Sequence, residues 1–211
     1  MTVEFGLTFL IIQIFAILAA ITVHEFAHAY AADKLGDPTP RLMGRVTLNP
    51  IAHLDPIGTV LIFLFGFGWG KPVLSDPFNL ANPRKDSAII SFAGPLSNLI
   101  LAILLAGCYH LFSSLNFNLI TTYLEYPIYI NLVLAVFNLI PVYPLDGFKV
   151  VEGVLPEDQA REWAQLRNYG IIFLLLLVVP LFSNTSMASR IIFPIVSFLL
   201  NLLLGNDFIL K

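Results

Sequence analysis

The sequence predicts an all-α protein that crosses a membrane several times. Of its 211 residues, 57% are hydrophobic and only 12% are charged. A soluble globular domain usually carries about 25% charged residues, so this chain has too little charge to cover a water-exposed surface. Its apolar residues also form long blocks, and a helix needs about 20 such residues to cross a bilayer. Lipid is therefore the expected solvent for most of the chain.

Charged residues separate the apolar blocks and mark where the predicted helices end. The first block, 7–32, stops at Asp33, and Gly36 and Pro38 follow as helix-ending residues. Further transmembrane helices are predicted at 87–112, 127–145, 169–182 and 191–204. The first three helices form a three-helix core that carries the candidate site described below, and the last two are additional transmembrane helices.

The connections between these helices are polar. Within the stretch 41–55, residues 45–49 predict a short strand. A second polar segment, 146–167, is predicted to lie in water. No separate soluble domain is evident, so we expect one membrane-embedded domain, 1–211, with its core at about 7–150 and accessory C-terminal helices at about 168–206.

The positions of Lys and Arg predict the orientation of the chain. The connection 113–126 contains neither residue and is expected outside, whereas the connections before Ser87 and after Asp146 contain several and are expected in the cytoplasm. The apolar run 57–67 is short and rich in Gly and β-branched residues. A full crossing there would divide the basic residues between the two sides, so this run is predicted to be re-entrant.

Charge and cysteine content exclude several classes of protein. The net charge of −3 gives no indication of nucleic-acid binding. The single cysteine, Cys108, lies in an apolar run and allows neither a disulfide within the chain nor a cysteine metal cluster.

The first predicted span contains the sequence His24-Glu25-Phe26-Ala27-His28. Side chains four residues apart share one face of a helix, so the two imidazoles can bind the same metal ion. Glu25 lies beside them and can reach a water on that ion. This spacing on a helix is typical of zinc metallopeptidases.

A purely structural role for these three residues is the alternative. A lone histidine on an apolar face is usually a hydrogen-bonded core residue. Here two histidines and a glutamate fall within five residues of one span. Each ionisable group costs a few kcal/mol to place in hydrocarbon, and such groups mark functional sites.

A catalytic zinc takes three protein ligands and leaves one position open, so a third donor must come from elsewhere. The candidates are His53, Asp55, Asp76, His110, Glu125 and Asp146. At about 1.5 Å per residue, His24 lies roughly 25 Å along the first span, and Asp146 lies roughly 28 Å along the span that begins near 127. His110 and Glu125 fall at the external ends of their spans. Matching depth therefore favours Asp146.

Three motifs in this order resemble the site-2 protease family of intramembrane zinc metalloproteases. They are 24–28 in the first span, 93–98 opening a later span and 138–147 closing another. The resemblance covers about 12–150, and the segment 41–59 is similar to the small prokaryotic members. Many members also carry a PDZ or CBS regulatory domain, which is not expected here.

The resemblance implies one zinc ion per chain, bound by His24, His28 and Asp146, with Glu25 as the general base. It also implies a plasma-membrane protein that cleaves membrane-spanning substrates near the cytoplasmic side, as in regulated intramembrane proteolysis.

Three further residues are candidates for substrate-binding or supporting roles. The resemblance places Asn98 near the active site, donating to a substrate carbonyl or orienting the backbone. Asn138 is a second amide in an apolar span, and such amides also serve as interhelical hydrogen-bonding groups. His53 is able to orient a zinc-binding histidine or to cap its own loop.

Two other functions remain open. Ionisable residues in spans also mark ion pathways, so the chain could be a transporter or channel, although no matching cluster occurs in a second half. It could also be a metal-binding scaffold without catalysis, which the presence of Glu25 disfavours. The substrate, the partners and the oligomeric state do not follow from the sequence.

Overall fold

The computed structural model of the chain describes residues 2–58, 70–180 and 185–205, and within these residues it is helical and contains no strand. The α-helices of the described chain are α1 (Thr2–Lys34), α2 (Thr39–Leu42), α3 (Pro83–Ser114), α4 (Asn118–Asn138), α5 (Asp146–Val154), α6 (Glu157–Gln165), α7 (Gly170–Val178) and α8 (Met187–Leu204). Short 3-10 helices form at Pro50–Ala52, Pro77–Asn79 and Leu166–Tyr169.

Four helices of the described chain are long and apolar enough to cross a membrane: α1 from Gly6 onward, α3, α4 and α8. At a rise of about 1.5 Å per residue, α1 and α3 each approach 50 Å and exceed the roughly 30 Å hydrocarbon layer. The predicted all-α polytopic membrane fold is confirmed.

Helices α1 and α3 run in opposite directions through the core. His28 contacts Ile90, and His24, four residues earlier, contacts Asn98, eight residues later. The connection between the two helices therefore begins and ends on the same side of the bundle. The predicted re-entrant segment, 57–67, falls mainly outside the described residues and stays a prediction.

Small residues allow the core helices to approach closely. Ala20, Ala29 and Ala32 of α1 and Ala102 of α3 have no exposed surface. On the other side of α3, a cluster of buried apolar residues joins α3, α4 and α8, and its members are Ala102, Ala106, Ile128, Leu132, Val136, Val196, Leu200 and Leu204. The hydrophobic effect does not drive membrane helices together, because lipid tails are as apolar as their side chains. Close packing of small residues contributes to their association instead.

The predicted strand at 45–49 is wrong, because these residues form an irregular loop. The Arg45 guanidinium turns inward and donates to the carbonyl oxygens of Ala52 and Lys71. These side-chain hydrogen bonds hold the segment as a loop, in place of the backbone hydrogen bonds that a strand forms with its neighbour. An antiparallel bridge instead joins Leu54 to Gly70.

The third core helix lies earlier in the chain than the predicted 127–145. It spans Asn118–Asn138 and contains Pro127, which the prediction took as its beginning. Proline is tolerated inside membrane helices because neighbouring groups satisfy the backbone atoms it frees. The Asn131 side chain, one turn later, donates to the Pro127 carbonyl at 2.8 Å and adds a hydrogen bond next to this proline. Asp146 consequently does not close this span but begins the separate helix α5.

The two additional transmembrane helices differ in length. The run 191–204 lies within α8, which has 18 residues and is long enough to cross. The described part of the run 169–182 contains α7, whose nine residues extend about 13 Å and do not reach across the hydrocarbon layer.

Asp37 holds the connection between α1 and α3 against the end of α1. Its buried carboxylate accepts hydrogen bonds from the backbone N–H groups of Thr39 (3.0 Å) and Asp76 (2.7 Å) and from the Asn79 side chain (3.0 Å). Burial alone would raise the pKa of Asp37, but these hydrogen bonds more than offset burial and hold the pKa below its ordinary value.

We predict that Asp37→Asn lowers the free energy of unfolding at neutral pH by about 1–3 kcal/mol, because an amide cannot accept all three bonds. A lowered pKa in the folded state stabilises the protein above the unfolded-state pKa of about 4, and that stabilisation is lost as the pH falls through the folded-state value. The difference between wild type and Asp37→Asn should therefore shrink in acid. Thermal unfolding in detergent between pH 7 and pH 3 measures it. Asp158→Asn, at an exposed position, is the control, and an equal pH dependence in all three proteins would contradict the assignment.

Candidate metal centre

Three side chains from two distant parts of the chain meet inside the bundle. The Nε2 atoms of His24 and His28 are 3.0 Å apart, and Asp146 Oδ2 lies 3.1 Å from the first and 3.2 Å from the second. Both imidazoles are nine-tenths buried, and the carboxylate is 18% exposed. The structure thus brings Asp146, favoured as third ligand by the sequence, onto the histidine pair of α1.

Hydrogen bonds on the opposite ring nitrogens define the protonation of both imidazoles. His28 Nδ1 lies 2.7 Å from the Ile90 carbonyl oxygen, which only accepts, so Nδ1 carries the proton. His24 Nδ1 lies 2.7 Å from Asn98 Oδ1, and the Asn98 amide nitrogen is already used to donate to Ala20 and Asn131. In the neutral rings, both Nε2 atoms are then lone-pair donors that face each other and a carboxylate oxygen.

Three lone pairs that converge in a buried space repel one another unless a cation lies between them. A tetrahedral site with metal–ligand bonds of about 2.0 Å has donor atoms about 3.3 Å apart, close to the 3.0–3.2 Å found here. Two imidazole nitrogens and one carboxylate oxygen form a donor set of the kind found in catalytic zinc sites. The residues present therefore fit a zinc ion.

The ionisation of Asp146 matches this role. Burial alone would raise the pKa of this carboxyl group, but without a metal ion a protonated His28 and hydrogen bonds from both imidazoles hold the pKa well below its ordinary range. A proton then occupies the space between the donors that a metal cation would fill. Asp146 is therefore ionised, as a metal ligand must be. Its position at the first residue of α5 also places it at the positive end of that helix.

Two glycines allow the close contacts around these donors. A Cβ atom on Gly94 of α3 would lie 2.5 Å from His28 Cε1 and 2.7 Å from His24 Cε1. A Cβ atom on Gly147, which follows Asp146, would lie 2.6 Å from the Ile140 carbonyl oxygen. Both positions thus exclude any larger residue, which explains the glycines of the second and third sequence motifs.

Glu25 lies beside the donor set without belonging to it. Its side chain is half-buried, and a Cβ atom on Gly70 would lie 3.4 Å from its Oε1 and 3.2 Å from the His53 carbonyl oxygen. Among the residues that the structure describes, none is recorded as hydrogen-bonded to the Glu25 carboxylate. The carboxylate remains available to accept a proton.

A chain of amides links the metal centre to all three core helices. Asn98 of α3 accepts from His24 and donates to the Ala20 carbonyl of α1 (3.0 Å) and to Asn131 Oδ1 of α4 (2.8 Å). Asn131 is 1% exposed and is anchored in turn on Pro127. Asn131 was not among the residues predicted from the sequence, although it is an amide in an apolar span like Asn98 and Asn138.

The structure places the other candidate residues away from the three donors. His53 is fully buried and donates from Nε2 to the Thr47 carbonyl at 2.7 Å, so it organises its own loop, while its Nδ1 has no hydrogen-bond partner among the described residues. The Asn138 amide donates to the Leu134 carbonyl, one turn earlier on α4. Asp55, Asp76 and His110 bond backbone groups elsewhere.

Gly94→Ala should abolish or strongly weaken zinc binding, because the added methyl group overlaps both imidazoles. We expect a loss greater than the roughly 10- to 100-fold that follows removal of an outer partner of a ligand. Chelator competition on purified protein measures the affinity. Gly107→Ala, on the same helix with no atom within 4 Å of the new Cβ, is the matched control and should bind zinc normally. Normal zinc binding by Gly94→Ala would contradict the geometry.

Substitutions along the amide chain should weaken zinc binding in proportion to their closeness to His24. Asn98→Ala frees the His24 ring and should lower zinc affinity about 10- to 100-fold. Asn131→Ala removes one bond to Asn98, worth about 0.6–2 kcal/mol in membranes, and should have a smaller effect. Asn138→Ala, on the same helix as Asn131, should have none. Equal zinc affinities for Asn131→Ala and Asn138→Ala would show that the chain ends at Asn98.

Comparison with known proteins agrees with this geometry. The sequence model of peptidase family M50 matches residues 12–117 and 107–179. The chain is 39% identical over 206 residues to "Putative zinc metalloprotease YwhC" of Bacillus subtilis (strain 168), which covers 94% of this chain and 89% of that protein. It is 30% identical over 169 residues to "Putative zinc metalloprotease Rip2" of Mycolicibacterium smegmatis, covering 77% of this chain and 65% of the relative.

A more distant relative is "Zinc metalloprotease MJ0392" of Methanocaldococcus jannaschii, which is 26% identical over 144 residues, covering 66% of this chain and 33% of that protein. No solved structure matches the chain. The family match includes all three motifs and most of the described helices. The chain therefore belongs to peptidase family M50, the site-2 protease family.

Proposed function

We propose that this protein is an intramembrane zinc metalloprotease that hydrolyses peptide bonds within or near the transmembrane segments of other membrane proteins. One observation carries the proposal: lone pairs of His24, His28 and Asp146 converge within 3.2 Å of one another inside a bundle of membrane-spanning helices. Family membership and the zinc metalloprotease names of the relatives support it.

His24, His28 and Asp146 would hold one zinc ion per chain and leave its fourth position for water or substrate. When bound, zinc polarises a carbonyl group and makes a water acidic enough to lose a proton near neutral pH. Asn98 and the Ile90 carbonyl keep the two rings in the tautomer that directs Nε2 towards the ion. A neutral ring with the opposite tautomer would present a proton there instead.

Glu25 acts as the general base and then as the general acid. Its carboxylate takes a proton from the attacking water, whose oxygen bonds to the substrate carbonyl carbon. When the carbon–nitrogen bond breaks, Glu25 returns that proton to the departing nitrogen. The products are a carboxylic acid and an amine, and Glu25 ends in its original state. Within the described chain, no residue is hydrogen-bonded to the Glu25 carboxylate, as suits a group that must exchange protons.

The depth of the centre supports a membrane-embedded substrate. His24 lies ten residues before the end of α1 at Lys34, or about 15 Å along the helix axis. A peptide bond at that depth belongs to a segment that is helical in lipid, so the substrate must unwind locally before its carbonyl reaches the centre. With Lys and Arg placed in the cytoplasm, the centre lies towards the cytoplasmic side of a plasma membrane. The proposal includes a role in regulated intramembrane proteolysis, which membership of the site-2 protease family supports.

The test compares wild type with Glu25→Gln, both purified in detergent. We expect about one zinc per chain in both proteins, and cleavage of a panel of membrane-spanning peptides by the wild type alone, because only the base is lost. A chelator should abolish the cleavage, and added zinc should restore it. Glu125→Gln, a second glutamate within a span, is the control and should retain activity.

Two outcomes would contradict the proposal. Absence of zinc from both proteins would show that the three donors do not form a zinc site. Cleavage by Glu25→Gln at the wild-type rate would show that Glu25 is not the general base. Ion flux through the wild type and Glu25→Gln in liposomes, without cleavage by either, would favour a transporter.

A further inference from the structure

We propose that Arg84 is a positioning residue for the zinc ligand Asp146, acting from the opposite end of α5. This inference rests on the proposed function, since it concerns how the ligand is held for the metal. Asp146 is the first residue of α5, and Arg84 binds the last turn of the same nine-residue helix.

Arg84 satisfies backbone groups that a helix leaves without partners. Its Nη1 donates to the carbonyl oxygens of Glu152 at 3.3 Å and Leu155 at 2.5 Å. The last carbonyl groups of a helix accept no hydrogen bond from within the helix, and they carry its partial negative charge. A guanidinium there both donates to these carbonyls and neutralises that charge. The Glu152 side chain is paired with Arg167 at 3.2 Å, so Arg84 binds the helix end through backbone atoms alone.

A close backbone contact fixes the distance between the two helices at the same place. A Cβ atom on Gly153 would overlap the Ala88 side chain and lie 3.3 Å from the Arg84 carbonyl oxygen. Helix α5 therefore lies directly on the first turns of α3, with no space to move closer. The two Arg84 hydrogen bonds oppose separation of the helices at this end of α5, and Gly153 permits their contact.

Helix α3 thereby sets the position of all three metal ligands. Ile90 and Asn98 bind the rings of His28 and His24, and Gly94 lies against both rings. Arg84, on the same helix, places α5. At about 1.5 Å per residue, Asp146 lies about 9 Å along the helix axis from Glu152 and about 14 Å from Leu155, whose carbonyls Arg84 binds. A small tilt of α5 at that end therefore displaces the carboxylate at the other.

Phe148 supplies the pivot for such a tilt. Its ring is 2% exposed and stacks on Trp163 with centroids 5.3 Å apart, and the Trp163 indole donates to the Phe148 carbonyl at 3.0 Å. Phe148 lies two residues from Asp146 and holds the near end of α5 against α6. Without Arg84, α5 keeps this anchor but loses the contact that sets its direction. Sites that are held loosely bind metal poorly even when every ligand is present.

The first experiment measures zinc affinity by chelator competition in Arg84→Gln, Arg84→Lys and Lys85→Gln. Arg84→Gln should lose about 10- to 100-fold in affinity, the range for residues that orient metal ligands. Arg84→Lys keeps the charge but not the planar fork, so it should recover part of the loss. Lys85→Gln removes one exposed cation from the adjacent position and should bind zinc as the wild type does.

A second set of variants tests the contact without changing any charge. Gly153→Ala should lower zinc affinity, because its methyl group pushes α5 away from Ala88. Ala88→Gly removes the atom that this methyl group meets, so Gly153→Ala with Ala88→Gly should recover affinity relative to Gly153→Ala alone. Rescue of this kind identifies a positional effect, which general destabilisation by two substitutions would not produce.

Hydrogen exchange of the metal-free proteins separates this inference from the proposed function. Amides of 147–154 should exchange faster in Arg84→Gln and Gly153→Ala than in the wild type and Lys85→Gln, whether or not the wild type binds zinc. Unchanged exchange in Arg84→Gln would overturn the inference, as would faster exchange with unchanged zinc affinity. Absence of zinc from the wild type would instead refute the proposed function.

Discussion

The two imidazoles of the metal centre can face each other because each has its other nitrogen committed to a fixed acceptor. His28 Nδ1 is held by the Ile90 carbonyl and His24 Nδ1 by the Asn98 amide, both on α3. These bonds settle the tautomers, and the tautomers direct two lone pairs to the point that Asp146 reaches from α5. The close approach of α1 to α3, which Gly94 permits, is the constraint that everything else at the centre requires.

Buried amides carry this constraint outwards through the bundle. Asn98 uses its oxygen for His24 and both amide hydrogens for Ala20 and Asn131, so its orientation is determined. An amide in hydrocarbon is costly unless each polar atom is bonded, which is why Asn98 and Asn131 require each other. The same bond joins α3 to α4, and the apolar cluster beyond it brings in α8. Polar and apolar packing thus select the same arrangement of helices.

Features that follow from burial in lipid, such as the long apolar helices, are predicted well from the sequence. Features that depend on hydrogen bonds between distant parts of the chain are predicted poorly. Apolar blocks located α1, α3 and α8, and the His24–His28 spacing identified a donor pair. Asp146 was selected by a depth argument that assumed one continuous span, yet it reaches the pair from a separate helix. The difference arises at Pro127, which predicts a helix start in the sequence but lies inside α4 in the structure.

The strand predicted at 45–49 failed for a related reason. Its alternating pattern fits a strand, but the inward turn of Arg45 is set by carbonyls of Ala52 and Lys71, which lie elsewhere in the chain. No local pattern reports such a contact. The roles of Asn131 and Arg84 were likewise invisible until the helices were placed, because each acts through a partner far away in sequence.

The separation of the candidate metal ligands along the chain has a consequence for biosynthesis. His24 and Asp146 are 122 residues apart, so the donor set is incomplete while the ribosome is still extending the intervening chain. At translation rates of about 5–20 residues per second, this interval lasts roughly 6–24 s. During it, the nascent first span already carries Glu25 and two histidines but lacks the aspartate. If Asp146 completes the zinc site as proposed, a protease assembled in this order stays inert beside the other nascent chains entering the same membrane until its own core has been made.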